Sequence, residues 1–204
     1  MIVIFGNIIF DFGRVLVQFD PEYMTSVYVD DSSDRDMVAK VVFDRLYWDR
    51  LDDGSITDQE VLIGIYSRLP ERLHQAARLV YENWMQNIPF IDGMKELVFA
   101  LKKEGRKLYL LSNISKGFSE GYKNIPCLSE VLSRFDGLVF SGPLGITKPG
   151  KDIFEHLLAK FEVDRNDCIF IDDSQKNILG AEKVGIKGYL FDGDAKKLYS
   201  FLQK

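Results

Sequence analysis

The sequence predicts an α/β fold: a mostly parallel sheet flanked by helices, with a small all-helical segment inserted after the first strand. Three observations carry this expectation. Short apolar runs alternate with amphipathic helical patterns along the chain. The centres of the runs are continuously apolar, as in strands buried on both faces, and do not alternate with polar residues. One long stretch, 21–88, holds helical patterns and no convincing strand.

The runs at 7–11, 107–111, 137–141 and 168–172 read as buried parallel strands, and 187–191 extends the sheet. Met94, Leu97, Val98 and Leu101 repeat at i, i+3, i+4, i+7, and Gly105 stands where a helix commonly stops. Ile153, Leu157, Leu158 and Phe161 form a second stripe, and Ile178, Ala181 and Val184, closed by Gly185, a third. Leu198, Phe201 and Leu202 predict a last helix lying over the sheet.

Within the insert, Met37, Val38, Val41, Val42 and Leu46 are expected to share one apolar face. Thr57 and Glu60 form a capping box ahead of Val61, Leu62 and Ile65. Pro70 is expected to open a further helix carrying Leu73, Ala76, Ala77 and Val80. A crossover between parallel strands needs only about a dozen residues, so the surplus implies a subdomain. The expected division is a core of 1–20 and 88–204 and a helical subdomain of 21–87. Pro21 and Pro89 stiffen the two junctions.

With 204 residues, 46% of them hydrophobic and 13% aromatic, the chain can bury a sizeable core. A net charge of −5 argues against nucleic acid or an anionic membrane as the main partner. Two cysteines, Cys127 and Cys168, make no disulfide framework, and two distant histidines, His74 and His156, make no zinc cluster. The apolar start of the chain has no basic flank, and Asp11 interrupts it too early for a membrane span, so a cytoplasmic protein is expected. Monomer and dimer are equally compatible with the sequence.

The residues at the end of each strand point to chemistry. The first strand ends in Asp11, the second in Ser112-Asn113 and the fourth in Asp172-Asp173, while a short loop after the third leads to Lys148. In an open parallel sheet these positions share the carboxyl edge, where α/β proteins bind ligands. Three carboxylates in one crevice repel one another unless a cation sits among them, and hard oxygen donors suit Mg²⁺. A divalent ion beside a nucleophilic aspartate and a lysine is machinery for phosphoryl transfer.

The runs IIFDFGRVLVQFDP, LLSN, TKPGKDIF and IFIDDSQKNILGAEKVG resemble, in order, the four motifs of the haloacid dehalogenase superfamily of phosphohydrolases. The helical insert sits where that family carries its small C1-type cap. Residues 53–58 and the Leu-Gly-x-x-Lys-Pro run ending at Pro149 resemble, within the family, the bacterial α-D-glucose-1-phosphate phosphatase branch. The resemblance implies a role for each residue of the edge. Asp11 attacks phosphorus, Ser112 and the backbone amide of Asn113 bind the phosphoryl oxygens, and Lys148 neutralises developing charge. Mg²⁺ is held by Asp11, the Gly13 carbonyl, Asp172 and Asp173. The implied substrate is a small phosphorylated metabolite, such as the sugar phosphate glucose 1-phosphate. Arg14, Arg45 and Trp48 are candidates for contacting it, each with an alternative reading as solvated charge or packing.

One position departs from the family. Most of its phosphatases place a second aspartate two residues after the nucleophile to protonate the leaving oxygen, and here that residue is Gly13. A positioned acid is worth about 10²–10⁴-fold in rate. Asp20, Asp173 or a side chain of the cap are candidates to replace it, or the leaving group needs little help. The family's metal-independent dehalogenases also lack that aspartate and form the second reading. A third is a catalytically weak binding or regulatory protein.

Overall fold

The computed structural model describes residues 5–204; the first part of the apolar run at the start of the chain, 1–4, lies outside the described residues. Strand β1 (Asn7–Phe10) is followed by helices α1 (Pro21–Ser26), α2 (Ser32–Val42), α3 (Arg45–Asp52), α4 (Asp58–Arg68) and α5 (His74–Asn83). Then come α6 (Met94–Lys103), β2 (Lys107–Ser112), α7 (Lys116–Gly121), α8 (Pro126–Leu132), β3 (Gly137–Phe140) and α9 (Lys151–Phe161). The chain closes with β4 (Cys168–Asp172), α10 (Gln175–Lys183), β5 (Lys187–Leu190) and α11 (Ala195–Leu202).

All five strands are parallel, in the order β3-β2-β1-β4-β5. The central strand places Phe10 beside Leu110 on one neighbour and Ile171 on the other. Because side chains alternate along a strand, the sheet splits its apolar residues between two faces. Ile8, Phe10, Leu108, Leu110, Ile169 and Ile171 pack beneath α6, α8 and α11, while Ile9, Tyr109, Leu111, Val139 and Phe170 pack beneath α9 and α10. This three-layer arrangement is the one expected from the sequence. The expected strands run within a residue of the observed ones. Asp11, Ser141 and Phe191 fall just outside, although their amides still donate to Ile171, Ser112 and Asp172 carbonyls of the neighbouring strands. β3 departs from the expectation of full burial: at the sheet's edge it alternates buried with half-buried residues.

Between residues 21 and 87 the described chain is helical, with two 3₁₀ turns and no strand. Thr57 and Glu60 form the capping box, each holding the other's backbone amide. Three details differ from the sequence reading. Met37 is exposed, and the buried face of α2 is Val38, Ala39, Val41 and Val42. The stripe from Met37 does not reach Leu46, because α2 ends at Val42 and Asp44 caps a new helix by accepting from the Leu46 amide; Leu46 is exposed. Pro70 precedes a 3₁₀ turn, Glu71–Leu73, and α5 begins only at His74.

The segment leaves and rejoins the sheet layer through two adjacent stretches. The Gln18 amide donates to the Pro89 carbonyl at 2.8 Å and the Ile91 amide to the Leu16 carbonyl at 3.0 Å, flanking an antiparallel bridge between Val17 and Phe90. Pro21 occupies the first turn of α1, which Asp20 caps. Its buried residues, including Trp48, Leu51, Val61 and Trp84, form one continuous cluster with the sheet face that carries Phe10 and Leu110.

Candidate active site

The carboxyl edge of the sheet gathers the strand-end residues. Asp11 follows β1, whose neighbours on either side end in Ser112 and Asp172. After Asp11 the chain folds back at once: the Phe12 carbonyl accepts from the Leu16 and Val17 amides, and Arg14, at φ 59°, turns the backbone through the left-handed region. The turn keeps Asp11, Phe12, Gly13 and Arg14 on the wall of one cavity of about 530 Å³. Ser112, Asn113, Lys148, Asp173 and Asn177 line it too.

Lys148 organises the centre. Its ammonium is buried and lies 2.8 Å from Asp11 Oδ1 and 2.8 Å from Asp172 Oδ2. Burial works against this charge, but Asp11 and Asp172 hold the ammonium above its ordinary pKa. The lysine's backbone is fixed as well: Asn113 Nδ2 donates to its carbonyl at 2.9 Å and its amide donates to Asn113 Oδ1 at 2.8 Å. The Asn113 side chain is thus spent on placing Lys148, and only its backbone amide, the group expected at the phosphate, is left for that role. Asp172 is completely buried and accepts from the Ser174 amide at 2.8 Å and from Asn177 Nδ2 at 3.1 Å. Asn177 stands in the first turn of α10, so the start of that helix helps to fix the Asp172 carboxylate.

Burial pushes the Asp11 carboxyl above the ordinary range, Lys148 pulls it back, and Asp172 pushes it up again. Asp173 is also raised, by burial first and then by Asp172, with Arg14 opposing. Carboxylate oxygens of Asp11, Asp172 and Asp173 all lie within 4.8 Å of one another. One ammonium among three carboxylates leaves an excess of negative charge, and the donors are hard oxygens. The set therefore fits a divalent cation of the Mg²⁺ type.

The three candidate contact residues all reach the cavity, in different ways. Arg14 is exposed at the turn beside the nucleophile position. The Arg45 side chain is 82% exposed and pairs with Asp49 at 2.7 Å. Trp48 is mostly buried; its indole nitrogen donates to the Val42 carbonyl at 2.8 Å and its ring packs against Phe19, Phe43 and Trp84. Phe19, Phe43, Trp84 and Asp52 line the cavity as well and were not singled out from sequence. Gly13 also lies on the wall, and a Cβ built there would meet nothing within 4 Å. Packing therefore does not demand glycine at this position.

Residues 6–185 match the haloacid dehalogenase-like hydrolase family. The chain belongs to that family. Among curated relatives of this hydrolase is a sesquiterpene phosphatase of Aspergillus oryzae, 24% identical over 191 residues, covering 92% of this chain and 90% of that protein. Another is a D-ribitol-5-phosphate phosphatase of Bacteroides thetaiotaomicron, 24% identical over 189 residues and covering 90% of each. In three dimensions the hydrolase is similar to a HAD family enzyme of Bacteroides thetaiotaomicron solved with magnesium and inorganic phosphate: TM-score 0.67, 22% identity, 94% of this chain and 97% of that one. It is similar also to a dehalogenase solved in an intermediate complex, with TM-score 0.75, 15% identity and full coverage of both chains. At such identities the structural likenesses establish the shared fold. Among the described residues, no helix is long and apolar enough to cross a membrane.

Proposed function

We propose that this hydrolase is a Mg²⁺-dependent phosphatase that cleaves a small phosphorylated metabolite, such as the sugar phosphate glucose 1-phosphate, through an aspartyl-phosphate formed on Asp11. The observation that carries the reading is the double contact of Lys148 with Asp11 and Asp172, 2.8 Å each, on the wall of the cavity. A nucleophilic carboxylate held against a buried ammonium keeps its orientation while charge develops on the attacked phosphoryl group.

In this reading Asp11 attacks phosphorus, Ser112 and the backbone amide of Asn113 hold the phosphoryl oxygens, and Lys148 offsets their charge. Asp11, Asp172, Asp173 and the Gly13 carbonyl would hold Mg²⁺, which supplies charge neutralisation and orientation of the phosphate when bound. Segment 21–87 acts as the cap of C1 type, presenting Arg45 and Trp48 to the alcohol and excluding water. A cytoplasmic enzyme acting on a small soluble ester, with no nucleic-acid or membrane partner, agrees with the net charge of −5.

The third carboxylate supports a phosphatase over a metal-independent dehalogenase. Asp172 and Asp173 beside Asp11, a third negative charge that Lys148 and Arg14 do not fully offset, blunt a nucleophile that works without a cation. Phosphate release from a panel of sugar and polyol phosphates, with and without Mg²⁺, tests the reading. Metal-dependent release lost in Asp11→Asn supports it. Metal-independent halide release from 2-haloacids would replace it with a dehalogenase, and ligand binding with neither activity would make the protein a binding module.

A further inference from the structure

We propose that Asp52, at the end of α3, is the proton donor to the leaving oxygen, filling the role that Gly13 leaves vacant; this rests on the phosphatase reading above. Arg45, Trp48 and Asp52, at i, i+3 and i+7, present one face of α3 to the cavity that Asp11, Ser112 and Lys148 line from the other side. Across it, the side-chain direction of Gly13 opens onto empty space.

The end of α3 is held in place. Ser141 Oγ donates to the Asp52 carbonyl at 2.5 Å and accepts from the Ile114 amide at 2.9 Å. Next to it Gly54, at φ +74°, brings the chain so close to the core that a Cβ there would stand 2.5 Å from the Gly142 carbonyl oxygen. The backbone of Asp52 is thus fastened to the loop after β3, whereas its carboxylate makes no hydrogen bond or ion pair among the described residues. A half-buried carboxyl with a fixed base and no protein partner is free to serve a ligand.

The charged groups facing it are Arg45 and Asp49 on its own helix and Asp11 and Lys148 across the cavity. Burial is the main influence and raises its pKa to about 7, with Arg45 opposing and Asp49 and Asp11 adding to the rise. An acid with a value near the working pH is protonated often enough to donate and basic enough afterwards to accept. The other two candidates are engaged elsewhere: Asp20 caps α1 through the Tyr23 amide, and Asp173 belongs to the acidic triad.

In the first half-reaction an Asp11 oxygen bonds to phosphorus while the ester P–O bond breaks, and the Asp52 proton passes to the departing alkoxide. In the second, Asp52 carboxylate takes a proton from the attacking water as its oxygen bonds to phosphorus and the Asp11–phosphorus bond breaks. Asp52 ends protonated, and one water has been consumed per phosphate released.

The test compares kcat/KM for p-nitrophenyl phosphate, whose phenolate leaves unaided, with benzyl phosphate, whose alkoxide needs a proton. This ratio reports the steps up to phosphoryl transfer. Asp52→Asn is expected to lose about 10²-fold or more on benzyl phosphate and less than about threefold on p-nitrophenyl phosphate. The fall of wild-type kcat/KM on benzyl phosphate above neutral pH is expected to disappear in the variant. Asp52→Glu should recover part of the loss. Equal losses on both esters, with the melting temperature unchanged or lowered, would make Asp52 a structural residue and overturn the proposal, as would no loss on either. Wild-type protein that releases phosphate from neither ester defeats the phosphatase reading itself, and the proposal with it.

Discussion

The hydroxyl of Ser141 donates to the backbone carbonyl of Asp52 across 2.5 Å, joining the loop after β3 to the last turn of α3. The same hydroxyl accepts from the Ile114 amide. Removing it in Ser141→Ala strands a buried amide and a helix-end carbonyl together. The expected loss is about 1–3 kcal/mol in urea unfolding. Activity on benzyl phosphate should fall more than stability at the assay temperature accounts for, since α3 loses its anchor.

Gly54→Ala acts on the same contact from the other side. Its φ of +74° disfavours any Cβ, and the added carbon would press on the Gly142 carbonyl. Destabilisation of more than about 1 kcal/mol is expected, and a variant melting at the wild-type temperature would refute the close approach.

Lys148→Ala leaves two carboxylates facing each other without their shared cation. Breaking a buried pair by deleting one partner typically costs about 3–5 kcal/mol. Mg²⁺ should recover part of this, so the rise in melting temperature on adding Mg²⁺ is expected to be larger in the variant than in the wild type.

Mg²⁺ itself should stabilise the wild-type protein by about 2.7 kcal/mol at a hundredfold excess over its Kd, as any ligand bound only by the folded state does. Asp172→Asn is expected to abolish this shift. Calorimetric titration of both proteins with MgCl₂ measures it directly.

Asp52 gives stability a pH dependence of known sign. Its pKa is about 7 folded against 3.8 as the ordinary value, so the folded state favours the protonated form. The contribution is complete below about pH 4 and is lost as pH rises through about 7. Asp52→Asn removes that loss. Relative to wild type the variant should therefore gain on the order of 1–2 kcal/mol between pH 4 and pH 8, the full shift being discounted for the carboxyl's partial solvation. A difference that stays flat with pH would contradict the burial-raised value.

The sheet and the acidic edge were legible because their signals are local. Continuous apolar runs mark strands buried on two faces, and three of them lead directly into residues of the site: Asp11 and Ser112 on the cavity wall, and Asp172 buried behind Lys148. The Thr57–Glu60 capping box was equally readable, since its partners are three residues apart. Leu46 misled because helical periodicity continues across Phe43-Asp44, where Asp44 in fact starts a new helix. Asp52 could not be found in this way. Its importance depends on Ser141, distant in sequence, and on burial created when α3 meets the loop after β3. Asn113 and Asn177 are likewise defined by partners across the edge, Lys148 and Asp172.

The paired crossing at Leu16–Val17–Gln18 and Pro89–Phe90–Ile91 has an evolutionary corollary. With departure and return points that already touch, the closure penalty on whatever is spliced between them grows only logarithmically, so that doubling its length adds about 0.6 kcal/mol. A lineage can therefore trade the whole intervening helical segment for another, or lengthen it, while the strand-end cluster keeps its wiring. Diversification of the surface that faces the cavity is then a matter of recombination at one stitched seam.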